Sequence, residues 1–297
     1  MTVVGVLRPV GAVALLLLLT ACAERETGAP PPGTSPSVAP PDDPDALVLE
    51  VRQVGGYVTP EMLAARLPVV SVHADGRVIT EGPVIAIYPG PALPNVQVLR
   101  IDPADVQDLA SRALAAGVGQ GIDYGMPNIT DVPSTRVTVA TADGTEVTEV
   151  HALLEATLPG PGGEEPLPGL TPEQVAARAE LRAFLDELTS QPLDQQAPVE
   201  QYEPEVLAVV VRPWVDPQDE LQHPELVWPG PPLPGEPLGG LPDLSCVTVS
   251  GDALAPVLDA ARQANSATPW VGQDGERWSL TFRPLLPDET GCADLQR

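Results

Sequence analysis

The chain has 297 residues, and its 15 arginines, its lack of lysine and its 41 acidic residues give a formal net charge of −26 at pH 7. A protein this acidic lacks the clustered cations that neutralise nucleic-acid phosphates or anionic lipid headgroups, which excludes nucleic acid as a partner. Hydrophobic residues make up 43% of the chain, which is enough for a folded core beneath a solvated acidic surface.

Residues 1–21 are predicted to be a lipoprotein signal peptide. Arg8 precedes a short apolar run at 13–19, and small residues follow the run, which is the composition of a secretory signal. The run is too short to cross a bilayer, which takes about 20 apolar residues, and no adjoining helical pattern favours a buried helix. Leu-Thr-Ala-Cys at 19–22 resembles the lipobox of bacterial lipoproteins, which implies cleavage before Cys22 and acylation of its thiol with palmitate-type chains. We therefore expect lipid anchoring to the cell membrane through Cys22, on the extracytoplasmic face.

Residues 22–45 are predicted to be a disordered tether. Prolines recur in this segment, as in Ala-Pro-Pro-Pro-Gly at 29–33 and Pro-Pro-Asp-Asp-Pro at 40–44. Such a composition favours extended polyproline II structure and cannot form a core. We expect the folded part to begin at residue 46.

Residues 46–158 are predicted to form a first α+β unit. Apolar and polar residues alternate from 47 to 52, which is typical of a half-buried strand. Asp-Gly at 75–76 and at 143–144 lies between β-rich segments and indicates two hairpins. Between the hairpins, Asp102 followed by Pro103 favours the start of a helix with one apolar stripe.

Residues 159–200 are predicted to be a linker that contains one helix at 171–189. Thr-Pro-Glu-Gln at 171–174 is the pattern of a capping box, which marks a helix start. We expect this helix to join two units and to bury Leu181, Phe184 and Leu188 against one or both of them.

Residues 201–297 are predicted to form a second α+β unit. It contains an apolar strand at 206–211, a second strand at 246–249, a helix that begins near or after Asp252, and an Asp-Gly hairpin at 274–275.

The order of these elements predicts a degenerate duplication. Tyr-Pro-Gly-Pro-Ala-Leu-Pro at 88–94 and Trp-Pro-Gly-Pro-Pro-Leu-Pro at 228–234 each precede a strand, a helix and an Asp-Gly hairpin. Pro-Gly runs are common in this chain and the second unit lacks a counterpart of the hairpin at 75–76, so a generic strand–helix–hairpin order is the alternative. The expected fold is α+β, with two degenerate repeats, each an antiparallel sheet with hairpins packed by one helix, joined by the linker helix.

Several loop and turn motifs resemble those of a family of uncharacterised actinobacterial lipoproteins. They are Gly-Gly-Tyr-Val-Thr-Pro at 55–60, Ala-Asp-Gly-Arg-Val at 74–78, the loop at 88–94, Asp-Val-Pro-Ser-Thr at 131–135, Thr-Pro-Trp at 268–270 and Phe-Arg-Pro-Leu-Leu-Pro at 282–287. The resemblance covers most of the chain after Cys22. It implies secretion and an α+β fold, and it implies no activity.

The cysteines predict one disulfide. Cys22 is assigned to the lipid, which leaves Cys246 and Cys292 in an oxidising compartment, where a pair of cysteines normally forms a bridge. Neither has another cysteine or a histidine close in sequence, which argues against a metal site.

No catalytic, cofactor or metal pattern is recognisable in the sequence. His73, His151 and His223 lack the spacing of metal ligands, and Gly-x-Ser-x-Gly does not occur. The glycine cluster at 117–121 follows a helix and does not open one, so it lacks the helix N-terminus that binds phosphate.

Three aromatic residues in Pro-rich loops are the candidate partner surface, namely Tyr88, Trp214 and Trp228. Such side chains are able to anchor an envelope protein or a glycan. The alternative for the two tryptophans is that they stack on their own prolines.

We interpret the sequence as that of a membrane-anchored cell-envelope lipoprotein with a non-catalytic binding or display role for an unknown ligand and no cofactor. The alternative is a secreted hydrolase with a dispersed carboxylate site, because 41 acidic residues leave room for a catalytic pair that no motif marks.

Overall fold

The computed structural model of the chain describes residues 41–155, 169–190, 198–239 and 243–296. The predicted signal peptide, the predicted acylation site Cys22 and most of the predicted tether lie outside these ranges, as does the first part of the predicted linker. No helix within the described ranges is long and apolar enough to cross a membrane. The fold is mixed α+β, as predicted, and the described residues form two sheets and four α-helices.

Seven strands form the first sheet. They are β1 (Leu47–Val54), β2 (Val70–His73), β3 (Arg77–Glu81), β4 (Val96–Arg100), β5 (Ser134–Thr141), β6 (Gly144–His151) and β7 (Glu200–Gln201). Their spatial order is β6-β5-β1-β2-β3-β4-β7, and all neighbours are antiparallel. The two predicted hairpins are confirmed as β2–β3 and β5–β6. Because side chains alternate along a strand, Leu49 and Val51 of β1 lie in an apolar core on one face, whereas Glu50 and Arg52 lie on the other.

Two helices cover the apolar face of the first sheet. They are α2 (Pro103–Ala115) and α3 (Pro172–Ser190). Buried apolar side chains from both helices share one core with the strands, including Val106, Leu109, Leu181, Phe184 and Leu188. The predicted linker helix therefore packs on the first sheet, which carries two helices and not the expected one.

The starts of these helices differ in how they are capped. The predicted capping box of α3 is present, since Gln174 N donates to Thr171 Oγ1 (3.3 Å) and Thr171 N donates to Gln174 Oε1 (2.9 Å). Asp102 occupies the N-cap position of α2, but its side chain makes no capping hydrogen bond. The N–H of Asp105, which a capping side chain would accept, donates instead to the backbone carbonyl oxygen of Asp102 (2.9 Å).

Six strands form the second sheet. They are β8 (Val206–Pro213), β9 (Leu226–Val227), β10 (Glu236–Pro237), β11 (Ser245–Ser250), β12 (Trp270–Val271) and β13 (Arg277–Pro284). Their order is β10-β11-β8-β13-β12-β9, with β12 and β9 parallel and the other neighbours antiparallel. Helix α4 (Leu254–Arg262) covers one face and follows a 3₁₀ turn at Gly251–Ala253, so Pro256 lies in its first turn.

The two sheets pack together through the faces that α2, α3 and α4 leave uncovered. Leu286, which follows β13, is buried in one cluster with Ile79 and Val98 of the first sheet. Tyr202 Oη, next to β7, donates to the carbonyl oxygen of Leu285 (2.8 Å). The order of layers is therefore α2 and α3, first sheet, second sheet, α4.

A short helix from the first half fills part of this interface. Helix α1 (Pro60–Ala64) connects β1 to β2 and packs on the second sheet, where Ala64 contacts the cluster around Ala208 and Val210. Glu61 of α1 also pairs with Arg212 of β8, with Oε1 and Nε 3.2 Å apart.

The strand topology does not confirm the predicted duplication. The loop at 88–94 joins β3 to its neighbour β4, whereas the loop at 228–234 joins β9 at one edge of the second sheet to β10 at the opposite edge. The two loops leave unrelated strand ends. In addition, β1 is separated from β4 by a hairpin, whereas β8 pairs directly with β11.

The predicted disulfide between Cys246 and Cys292 is present, with the sulfur atoms 2.02 Å apart. It joins β11 to a short 3₁₀ helix (Cys292–Gln296) and spans 46 residues of sequence. The bridge therefore ties the C-terminal segment to the sheet face that lies toward the first sheet.

Removal of this bridge should lower the free energy of unfolding by up to about 4 kcal/mol, because the denatured chain regains the entropy of a loop of this length. Urea denaturation of the Cys246→Ala/Cys292→Ala double variant, compared with oxidised and with reduced wild-type protein, measures the change. The reduced wild type controls for the cavity that alanine leaves at the buried Cys246. Equal stability in all three samples would contradict the prediction.

Candidate functional site

The three predicted partner-surface residues occupy different environments. Trp228 is only 3% exposed, so it is not available to a partner, and this part of the prediction is wrong. Its indole fills the core of the second sheet, with ring centres 5.8 Å from Trp270 and 6.4 Å from Phe282, and its Nε1 donates to the carbonyl oxygen of Pro231. Trp214 is half-buried, and its Nε1 donates to the carbonyl oxygen of Ala267 (3.3 Å). Tyr88 is 65% exposed.

The loop that carries Tyr88 has a partly buried half and an exposed half. Ala92 and Leu93 pack against the core of the second sheet, and Ser266 N donates to the carbonyl oxygen of Gly90 (2.8 Å). A β-bridge between Pro91 and Asn265 adds to this contact. The second half of the loop therefore joins the first sheet to the second.

The first half of the same loop exposes four large apolar side chains to solvent. They are Val84, Ile85, Ile87 and Tyr88, which are 58–65% exposed; we call them the Tyr88 apolar patch. Folded proteins leave few contiguous apolar groups in water, and such patches mark sites of interaction.

A cavity of about 730 Å³ adjoins this patch. Apolar side chains contribute much of its wall, including Val84, Ile85, Leu93, Tyr202, Leu254 and Leu258. Since residues from the loop, from the segment after β7 and from α4 meet here, the fold places a concave apolar surface beside the exposed patch.

One carboxylate holds the exposed half of the loop. Asp219 Oδ2 accepts a hydrogen bond from Tyr88 Oη (2.8 Å). Its Oδ1 accepts from Leu221 N (3.0 Å) and lies 2.9 Å from His223 Nε2. The hydrogen bond from His223 contributes most to lowering the pKa of Asp219 to about 2. The hydrogen bond to Asp219 in turn raises the pKa of Tyr88 above its usual value. This cluster joins the Tyr88 loop to the loop between β8 and β9.

Asp219→Asn should loosen both loops, because an amide accepts these hydrogen bonds more weakly than a carboxylate. Hydrogen exchange should become faster at Leu221 and in the segment 84–90. In the wild type the ionised carboxylate stabilises the folded protein fully above pH 3.8, where Asp219 is ionised in both the folded and the unfolded chain. This stabilisation is lost as the pH falls toward 2.

Asp216→Asn is the matched control, since Asp216 lies in the same loop but accepts only from Gln218 N among the described residues. Equal exchange rates in the two variants would contradict a holding role for Asp219.

A second cavity, of about 550 Å³, has an unusual concentration of positive charge for this acidic protein. Arg52, Arg66, Arg136 and Arg283 all line it, and we call it the arginine cavity. These arginines come from β1, the loop after α1, β5 and β13. Glu289 and Asp294 also contribute to the wall.

The deepest group of the arginine cavity is a buried ion pair. Arg283 Nη2 donates to Glu289 Oε1 (2.9 Å), and the two residues are 2% and 7% exposed. Burial lowers the pKa of Arg283 and raises the pKa of Glu289. For Arg52, burial alone would lower the pKa, but the hydrogen-bonded carboxylate of Glu50 raises it.

The histidines have structural environments. His73 is fully buried, with Nδ1 3.0 Å from the carbonyl oxygen of Asp45, and burial lowers its pKa. His151 Nε2 lies 2.9 Å from the carbonyl oxygen of Ile129. Within the described ranges, no group of three or more histidine, cysteine or acidic side chains is placed to hold a metal ion.

Comparisons of the chain with protein-family models, with characterised proteins and with solved structures find no match. Sequence reasoning identified Tyr88 but neither the apolar residues before it nor the arginine cavity. The run Val-Ile-Ala-Ile-Tyr at 84–88 has the composition of a short buried strand bounded by proline and glycine, so nothing in the sequence indicated that it would be exposed. The four arginines had no such signal, because they meet only in the folded chain.

Proposed function

We propose that the protein is a lipid-anchored lipoprotein of the cell envelope that binds another envelope protein on the Tyr88 apolar patch, without catalysis. The Leu-Thr-Ala-Cys motif and the resemblance to actinobacterial lipoproteins support the anchor. The observation that carries the binding function is the exposure of Val84, Ile85, Ile87 and Tyr88 beside an apolar cavity.

Burial of this patch would supply a substantial driving force. Full burial of one large apolar side chain is worth about 1.5–3 kcal/mol, so several together offset the entropy lost on association. The loop is also held in place at both ends, by Leu93 in the second core and by Asp219 at Tyr88. A loop that is already ordered loses less entropy when a partner binds it.

The chemistry of the patch favours a protein over a glycan as partner. Sugar rings stack on aromatic faces, and only Tyr88 of the three predicted aromatic residues is freely exposed, since Trp228 is buried and Trp214 is half-buried. The rest of the patch is aliphatic, and aliphatic surface is complementary to apolar side chains of another protein.

Anchoring is tested by Cys22→Ala. The variant should remain unprocessed, at precursor size, or be released to the medium, because no thiol is available for acylation. Membrane fractionation and electrophoretic mobility report the outcome, and the Cys246→Ala/Cys292→Ala variant is the control that should stay membrane-bound. A Cys22→Ala protein in the membrane fraction with wild-type mobility would refute the anchor.

Partner binding is tested with a photo-crosslinking amino acid placed at position 85 or 87 of the full-length lipoprotein in its native envelope. Both positions should give the same discrete adduct with another protein. Position 126 is the control, because Met126 is 75% exposed but lies outside the patch. The adduct from position 85 should disappear with Ile87→Asp and persist with Met126→Asp, since a charge in the patch opposes apolar contact.

Three results would argue against this function. They are the absence of an adduct, an equal adduct from position 126, and an adduct that contains only a second copy of this chain.

A further inference from the structure

We propose that the arginine cavity binds a small organic anion, a carboxylate or a phosphate that carries an apolar body. This site is separate from the proposed partner surface, because its lining shares no residue with the cavity beside the Tyr88 apolar patch. The proposal therefore goes beyond the proposed function and does not depend on it.

Two arginines face each other across neighbouring strands in the wall of the cavity. Arg52 of β1 and Arg136 of β5 are direct cross-strand partners, so their side chains project from the same face of the sheet. Like charges in this arrangement destabilise a sheet. Glu50 balances Arg52 through two hydrogen bonds of 2.7 Å, and Glu149 accepts from Arg136 at 2.9 Å and 3.1 Å. The two carboxylates therefore reduce the repulsion between the arginines. An anion bound between the two guanidinium groups would reduce it further.

Arg66, in the same wall of the cavity, has N–H donors that make no hydrogen bond with the described residues. Its Nη1 donates to the carbonyl oxygens of Gln53 (3.3 Å) and Gly55 (2.9 Å). Among the described residues its Nε and Nη2 make no hydrogen bond, and no carboxylate lies within ion-pair distance. A full positive charge therefore lines the cavity without a counter-ion from the described part of the protein.

Arg283 adds a second unsatisfied donor. Its Nη groups donate to Glu289 and to the carbonyl oxygen of Pro284, but its Nε is buried and has no partner in the part of the chain that the structure describes. Buried polar groups are normally hydrogen-bonded, and an unmade bond at a charged group is costly. An acceptor atom of a ligand or of a water molecule is what such a donor requires.

The acidic residues of the wall are already engaged by the protein. Glu289 accepts from Arg283 through Oε1 and from Leu286 N through Oε2. Asp294 Oδ2 accepts from the backbone N–H groups of Thr290 and Gly291 and from the hydroxyl of Thr290. Their charge is directed at these donors, so the guanidinium groups dominate the hydrogen-bonding character of the cavity.

The remainder of the wall defines the body of the ligand. Apolar side chains from α1, from the segment after it and from the second half line the cavity, namely Leu63, Ala64, Leu67, Leu238 and Leu295. A volume of about 550 Å³ lies within the range of small-molecule sites. An anion with an aromatic or short aliphatic body fits both the charge and the apolar wall.

The proposal is tested by calorimetric titration of the full-length lipoprotein with four soluble probes. Phenyl phosphate or benzoate should bind, and the stronger of the two identifies the anionic group that the site prefers. Benzyl alcohol should bind at least about tenfold more weakly than the preferred anion, since it has the aromatic ring without the charge. Inorganic phosphate should also bind more weakly than the preferred anion, since it has the charge without an apolar body. The affinity for the anions should fall as the salt concentration rises.

Arg66→Ala should weaken binding of the preferred probe by about tenfold or more, the factor expected for loss of a charge-assisted hydrogen bond. Arg66→Lys should restore part of the affinity, because it keeps the charge but not the planar fork of donors. Arg100→Ala is the matched control, since Arg100 lies on the same sheet but outside the cavity and has an exposed side chain. Arg136→Gln serves as a second cavity variant if Arg66→Ala does not fold.

The proposal is overturned if neither anion binds at up to ~10 mM, where even a weak site would be occupied. Equal binding of benzyl alcohol and the stronger of the two anions would also overturn it, as would an equal loss of affinity in Arg66→Ala and Arg100→Ala. The crosslink from position 85 is expected to be unchanged in the Arg66 variants, so failure of this site and failure of the proposed partner surface are distinguishable.

Discussion

A buried ion pair between Arg283 and Glu289 shapes the segment through which the second sheet contacts the first. Taking both charges out of water is costly, and the cost is recovered only where the geometry is good and the remaining polar atoms are satisfied. Here Glu289 accepts the N–H of Leu286 through its second oxygen, and Arg283 donates to the carbonyl oxygen of Pro284, so the chain leaving β13 is fixed in direction. Among the described residues only Nε of Arg283 is left without a partner in this group. That direction places Leu286 against Ile79 and Val98 of the first sheet. Neither charge can be lost alone without leaving the other buried and unpaired, so the pair fixes the path of the chain that carries Leu286 to the first sheet.

The layer between the sheets differs in character from the two outer cores. Each sheet buries an almost wholly apolar face against helices, as in the cluster of Val209, Val249 and Val257 beneath α4. The inner faces carry charged and polar groups as well, among them Arg52 and the fully buried His73. Apolar packing can be achieved in many arrangements, whereas hydrogen-bonded charges have to meet at fixed distances. The outer cores therefore supply most of the stability, and the inner layer supplies the geometry of the arginine cavity.

Local patterns in the sequence predicted the local structure well. The alternation of apolar and polar residues and the Asp-Gly pairs predicted the hairpins, and the capping box at Thr171 predicted α3. The expectation of an oxidising compartment predicted the disulfide between Cys246 and Cys292. What failed was the inference of long-range arrangement from local order. The same Pro-Gly-Pro pattern leaves Tyr88 exposed and buries Trp228, because the second loop crosses its whole sheet and the first only joins neighbouring strands. Likewise, no spacing in the sequence could bring Arg52, Arg66, Arg136 and Arg283 together, since their proximity results from the packing of two sheets.

An anion site is compatible with the acidity of the protein, because the repulsion from the surface carboxylates and the attraction of the cavity arginines act over different distances. At physiological ionic strength the field of exposed carboxylates is screened beyond about 8 Å, so it hardly affects a small anion until the anion is close to the surface. Inside the cavity, guanidinium donors act at hydrogen-bond distance and in a medium of lower dielectric, where their attraction is much stronger. A polyanion has no such access, since it would have to bring many charges against the acidic surface at once, with few cations to neutralise them. The charge distribution is thus compatible with the proposed small anion, which meets far fewer carboxylates on its way to the cavity than a polyanion would.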